Sequence, residues 1–251
     1  MKTLSILALQ NKHVTQQIVC KKSASDTAIY LKGIISNDYG VGATQLRAAF
    51  EEAGGGDVSL HINSPGGDVF EGREMQAVIA SYAGKVTAVI EGIAASAATF
   101  VALSCSKVQM LKGSRFMIHN GMTIAFGNKS EMKAVYDMLE SFDNELAAEY
   151  AAKTKRDVAQ MTAWMDAETW FTAEQALEAG FVDQINPNVQ NVAAEWDLSA
   201  YAKAPPAEPA PVDPPVDAKP APVVEPIATI SEEHRERQLQ RLRLANHATH
   251  Q

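Results

Sequence analysis

Apolar residues recur along the first 190 positions in two rhythms, and the switch between them divides the chain into elements. AIYLKGIIS (28–36), DVSLHI (57–62) and KVTAVIEG (85–92) are short and rich in β-branched residues, which predicts strands. Between them ATQLRAAFEEAG (43–54) sets Leu46, Ala49 and Phe50 on one face at helical spacing, and VFEGREMQAVIASYAG (69–84) reads as a second helix. AASAATFVALSC (94–105) reads as a third helix, followed by short strands in KVQML and RFMIHN. A long helical pattern covers 129–154 and a shorter one 156–165. In the final FTAEQALEAGFVDQI, Thr172 fits an N-cap and Gly180 a helix end. Strand and helix in alternation predict an α/β fold of repeated βαβ units, with a largely parallel sheet covered on both faces.

Beyond residue 200 the pattern stops. Nine of the eleven prolines lie between Pro205 and Pro226, a composition that predicts an extended, disordered linker. ISEEHRERQLQRLRLANHATHQ, at the end, predicts a short helix, acidic at its start and basic at its end. The expected organisation is an N-terminal segment 1–25, with His13 in a stretch lacking fixed structure, a domain 26–200, a Pro/Ala-rich linker 201–228 and a helix 229–251.

Charge and composition narrow the function. A formal net charge of -8 over 251 residues argues against nucleic-acid binding, which shows as clustered Lys and Arg. The two cysteines, Cys20 and Cys105, lack the spacing of a zinc site or disulfide framework and read as reduced thiols of a cytoplasmic protein. MKTLSILAL is too short in its apolar run for an export signal, and IAASAATFVAL (93–103) is about half of the roughly 20 residues a membrane span needs. No membrane association is expected. NSPGGD (63–68) matches neither a dinucleotide fingerprint nor a P-loop, and no cofactor or metal is expected.

NSPGGD nevertheless stands where chemistry is often placed, after a strand and before a helix. Pro65 fixes the approach, and Gly66 and Gly67 open backbone conformations in which successive N–H groups could receive an anion or an oxyanion. A plain turn would use the same residues. Ser96, the one hydroxyl among the alanines of GIAASAA, falls at a strand-to-helix junction, though a small residue there also suits close helix packing. A nucleophilic serine needs a base, and His61 and His119 are the two histidines within the patterned region after residue 26. His61 lies inside a strand; His119 ends one, where catalytic groups are often presented.

INSPGG (62–67), GIAASAA (92–98) and MIH (117–119) together resemble the oxyanion-loop, nucleophile and histidine motifs of the Clp protease proteolytic subunit family, within the ClpP/crotonase fold. The resemblance covers roughly residues 26–186. It implies a serine endopeptidase with Ser96 as nucleophile, His119 as general base and the N–H groups of Gly67 and Ala97 as oxyanion hole. It also implies peptide or protein substrates and a homo-oligomer of stacked rings, with the long helix 129–154 at the ring interface. For the acid, alignment on TAEQALEAGFVD puts Glu168 at the family's aspartate position, with Asp166 as competitor. Ala97-Ala98 and Asn120-Gly121 replace the family's usual Met-Gly and Gln-Pro. Those replacements and the tail point to a phage or prophage branch, similar to enzymes that process capsid or scaffold proteins in head maturation. The alternatives are a housekeeping subunit working with an unfolding ATPase, an acyl-CoA enzyme of the same fold, and an inactive assembly protein.

Overall fold

The computed structural model describes residues 2–24, 26–187 and 196–205. The expected linker from residue 206 onward and the expected helix 229–251 lie outside the described residues.

Fifteen elements follow one another: α1 (Lys2–Gln10), β1 (Gln17–Lys22), β2 (Thr27–Lys32), α2 (Ala43–Ala53), β3 (Val58–Ser64), α3 (Val69–Ala80), β4 (Val86–Ala95), α4 (Ala97–Leu103), β5 (Lys107–Leu111), β6 (Arg115–Ile118), α5 (Lys129–Thr154), α6 (Val158–Asp166), β7 (Thr169–Thr172), α7 (Ala173–Ala179) and β8 (Gln184–Asn186). They build the expected mixed α/β architecture around one eight-stranded sheet. Its main path runs β1-β2-β3-β4-β5-β8, parallel throughout except for the antiparallel β1–β2 pair.

One strand serves two neighbours. The first half of β4 pairs with β5, from Thr87 opposite Lys107 to Ile90 opposite Met110. Its second half pairs with β6 instead, from Ile93 opposite Arg115 to Ala95 opposite Met117. β6 in turn pairs antiparallel with β7, which the sequence pattern did not reveal. The sheet therefore forks at Glu91-Gly92. This fork also corrects the expected helix start at residue 94: Ala94 and Ala95 are held as strand by β6, and α4 begins only at Ala97. Alanine is a good helix former, but the ladder outweighs that small preference.

The main core fills with aliphatic strand residues such as Leu31, Leu60, Ile62 and Ile90, packed against α2, α3, α4 and the C-terminal half of α5. Each such side chain, fully buried, stabilises the fold by roughly 1.5–3 kcal/mol. An aromatic group closes the far end, where Phe116 stacks on Phe181 at 5.0 Å and Tyr150 meets the same ring edge-on. Side chains cap the starts of α3, α5 and α7. Asp68 accepts the Glu71 N–H at the start of α3, and Asn128 and Glu131 form a capping box on α5. Asp183 accepts the Val108 N–H and is paired with Lys153, which ties the exit of α7 to β5 and α5.

The N-terminal stretch departs from its expected lack of structure. β1 is a full edge partner of β2, and α1 buries Leu7 in a second, smaller cluster with Val14, Ile34, Ile93, Met117, Trp196 and Tyr201. Tyr201 thus packs in the body of the protein, although composition assigns it to the linker. Both cysteines are free and buried. Among the described residues, no helix is long and apolar enough to cross a membrane.

Candidate active site

The forked strand brings the serine and the histidine together. Ala95 ends β4 and its register partner Met117 lies one residue before the end of β6, so Ser96 and His119 leave the sheet side by side. Ser96 takes the turn between β4 and α4 with φ 52° and ψ -125°, a conformation that costs a non-glycine residue about 1–3 kcal/mol. The surrounding hydrogen bonds hold it there. Its N–H donates to the Met117 carbonyl at 2.9 Å, and its carbonyl accepts from the N–H and hydroxyl of Thr99 at 2.9 and 2.7 Å. His119 follows β6 directly, and its Nε2 stands 2.7 Å from Ser96 Oγ. Burial pulls the His119 imidazole down to about 4, with the charge of Glu168 opposing that shift. The ring is therefore neutral at pH 7 and has a lone pair available for a hydroxyl proton.

The Pro65-Gly66-Gly67 loop is pressed against this pair. Gly66 has φ 91°, and a Cβ there would lie 2.5 Å from the Ala95 carbonyl oxygen and 2.7 Å from Ser96 Cβ. At Gly67, with φ 152°, it would lie 2.2 Å from the Ile35 carbonyl oxygen. Only glycine lets the loop approach so closely. Two hydrogen bonds pin it to Ile35, whose N–H donates to Gly66 O and whose carbonyl accepts from Asp68 N–H. Among the described residues, neither the Gly67 N–H nor the Ala97 N–H donates to a protein acceptor. Ser64 supports the loop from behind, its Oγ accepting the Gly66 N–H, while Asn63 Oδ1 accepts the indole N–H of Trp196.

A cavity of about 300 Å³ opens beside Ser96, His119 and Gly67. Phe100, Leu139, Phe142, Leu146 and Tyr150 form its apolar wall. The Arg73 guanidinium lies over the rings of both Phe100 and Phe142, at 5.2 and 5.7 Å, which fixes two sides of that wall.

The carboxylates are arranged less simply. Glu168, itself in a left-handed backbone conformation with φ 48°, lies close enough to act on the charge of His119, but no hydrogen bond joins them. Its Oε1 accepts the Lys203 N–H at 2.6 Å and the Trp170 indole N–H at 3.2 Å, and its Oε2 accepts the Ala202 N–H at 3.0 Å. Asp166 is exposed and accepts from the Asn120 side chain at 2.7 Å. A third carboxylate, Asp143 of α5, accepts the Gly121 N–H, and burial raises its pKa. The other histidine candidate, His61, is held by Glu91 and Ser59 and stacks on Tyr30; it makes no contact with Ser96.

Sequence reasoning missed Tyr201. Its hydroxyl donates to the Pro65 carbonyl at 2.5 Å, its ring meets His119 edge-on at 5.4 Å, and it lines the same cavity. Burial pushes its phenol well above the ordinary value, with the nearby Ser96 hydroxyl opposing, so it is a neutral donor. The available signal was WDLSAY, three large apolar residues immediately ahead of the prolines. No group of three or more His, Cys, Asp and Glu that could hold a metal occurs among the described residues.

A hydroxyl on a neutral imidazole, beside two free N–H donors and an apolar cavity, can carry acyl transfer. The sequence comparisons agree with that chemistry. The Clp protease family model matches residues 11–189. The ATP-dependent Clp protease proteolytic subunit of Bacteroides thetaiotaomicron is 30% identical over 184 residues, covering 72% of this chain and 83% of the relative. That of Porphyromonas gingivalis is 27% identical over 185 residues, with the same coverage. Proteolytic subunit 2 of Rhodococcus jostii is 34% identical over 131 residues, 51% of this chain and 67% of the relative. With a family match spanning both glycine loop and Ser–His pair, the chain belongs to the Clp protease family and is a peptidase of that family.

Proposed function

We propose that this peptidase is a serine endopeptidase in which Ser96 is the nucleophile, His119 the general base and Glu168 the acid. The observation that carries the proposal is the 2.7 Å contact between His119 Nε2 and Ser96 Oγ, beside the undonated N–H groups of Gly67 and Ala97. His119 Nε2 takes the Ser96 proton as Oγ attacks the peptide carbonyl carbon. The Gly67 and Ala97 N–H groups receive the oxyanion, a contribution of about 3 kcal/mol per donor to the barrier. As the tetrahedral species collapses, His119 passes the proton to the leaving amine, and water then hydrolyses the acyl-serine by the same steps. The apolar cavity receives the side chain on the acyl side of the cleaved bond.

The reading extends to assembly and substrate. The first half of α5 leaves Met132, Tyr136 and Met138 exposed, which suits a helix covered by another subunit in a ring. The body that carries the peptidase extends past the expected 26–200 to include α1, β1 and Tyr201, and the sequence beyond residue 205 serves partner association. Phage capsid or scaffold proteins are the substrates that fit Ala97-Ala98, Asn120-Gly121 and that tail. The named relatives are ATP-dependent subunits, so an unfolding ATPase is the competing partner.

Incubating parent and Ser96→Ala with a fluorogenic peptide and with a fluorophosphonate tests the assignment. The parent cleaves the peptide and gains one adduct on Ser96, while the variant does neither. Equal cleavage by both would overturn it.

A further inference from the structure

Residues 196–204 run beside the active site and are hydrogen-bonded to the body of the protein at several points. The Trp196 indole, 5% exposed, donates to Asn63 on β3. Asn11, at the end of α1, clasps the backbone of Asp197 from both sides, donating to its carbonyl and accepting its N–H. Tyr201, also 5% exposed, reaches the Pro65 carbonyl. The Ala202 and Lys203 N–H groups both end on the Glu168 carboxylate, and Lys203 Nζ donates to the Ala167 carbonyl.

Two of these contacts conflict with the reaction. An ionised carboxylate offers about four acceptor positions. Three on Glu168 are filled by Ala202, Lys203 and Trp170, and the one side-chain hydrogen bond of His119 among the described residues is to Ser96. The imidazolium formed during acyl transfer needs an acceptor on Nδ1, and the carboxylate best placed to be one already has three of its positions taken by other donors. Tyr201 meanwhile stands edge-on to the same imidazole and forms part of the wall of the cavity that receives substrate.

We propose that residues 196–204 are an inhibitory strap, which holds Glu168 away from His119 and narrows the site with Tyr201, so that full peptide hydrolysis requires the strap to leave. The strap and the imidazole compete for one carboxylate, and that competition defines two states. In the closed state Ala202 and Lys203 own the carboxylate; in the open state His119 Nδ1 does, and the cavity is clear. The inference rests on the serine-peptidase reading above.

The test uses the full chain and the rate at which a fluorophosphonate labels Ser96. Lys203→Pro removes one of the two strap N–H donors to Glu168 without altering a side chain of the cavity. Tyr201→Phe removes the hydroxyl bonded to Pro65 and keeps the ring. Labelling of Lys203→Pro is expected to be about tenfold faster than the parent, the equivalent of roughly 1.4 kcal/mol, with Tyr201→Phe also faster. Amide hydrogen exchange at Tyr201 and Ala202 should rise in both. Thermal melting confirms which variants are folded, and one folded variant is enough to decide. If the parent is labelled at Ser96 and the folded variants are labelled no faster, the strap is a fixed wall and the inference fails while the peptidase reading stands. If neither parent nor variants are labelled at Ser96, both fail.

Discussion

Ala95 and Met117 face each other near the ends of two parallel strands, and this single register pair sets Ser96 and His119 at hydrogen-bond distance. The site is thus assembled by the fork in the sheet and not by any one loop. β4 supplies the serine, β6 supplies the histidine, and the glycine loop after β3 is pinned beside both by Ile35.

The two carboxylates near the histidine differ in what they touch, and that difference separates them experimentally. Glu168→Gln keeps the shape but removes the charge that acts on His119, and kcat/KM for a peptide should fall by between about 10² and 10⁴. Asp166→Asn, exposed and bonded to Asn120, should change the rate by less than about threefold. The reverse ranking would make Asp166 the acid.

Gly67→Ala tests the oxyanion loop. The added methyl would fall 2.2 Å from the Ile35 carbonyl oxygen, so the loop must shift and its N–H with it. Losing one donor of this kind lowers kcat by about 10²–10³, and KM should move much less. Steady-state kinetics on a short peptide reads both.

Acid should weaken the fold through His119. Burial holds its pKa near about 4, below the ordinary 6.5, so between those values the unfolded chain binds a proton that the folded chain does not. Stability from this group is complete above about pH 6.5 and is lost as the pH falls toward 4, at up to about 1.4 kcal/mol per pH unit. Urea midpoints of the parent should fall more steeply over that window than those of His119→Gln. The same neutral imidazole predicts that labelling of Ser96 keeps its rate below pH 6.5.

The cavity wall predicts specificity. Phe142 is held by Arg73 in the apolar wall, and Phe142→Trp would take up part of the 300 Å³. KM should rise for peptides carrying Phe or Met before the cleaved bond and stay near the parent value for Ala. Peptides with Asp at that position should be poor substrates of both proteins.

Most of the strands and helices could be read from periodicity because their apolar faces are long enough to repeat. The exceptions share a cause. TWFT of β7 is four residues between two helices and exists as strand because β6 pairs with it. Ala94 and Ala95 read as helix and are strand for the same reason. The glycine loop, serine and histidine each fit a plain structural role when read alone, and stood out as candidates only because the three motifs follow one another in the family's order. The strap was not: Tyr201 lies five residues after Trp196 and four before the prolines, and its partners, Asn63, Pro65 and Glu168, are distant in sequence. Composition reports what a segment lacks, not what it touches.

The indole of Trp196 gives the strap an optical signature. The chain has three tryptophans, and the ring contacts of Trp164 are with Phe171 and Phe181. Trp196 sits in the smaller core with its N–H on Asn63, and Trp170 lies edge-on to Tyr201 with its N–H on Glu168. Departure of the strap would carry one indole into water and uncover another. Red-shifted intrinsic emission would then follow the opening in real time, with no label attached to the protein.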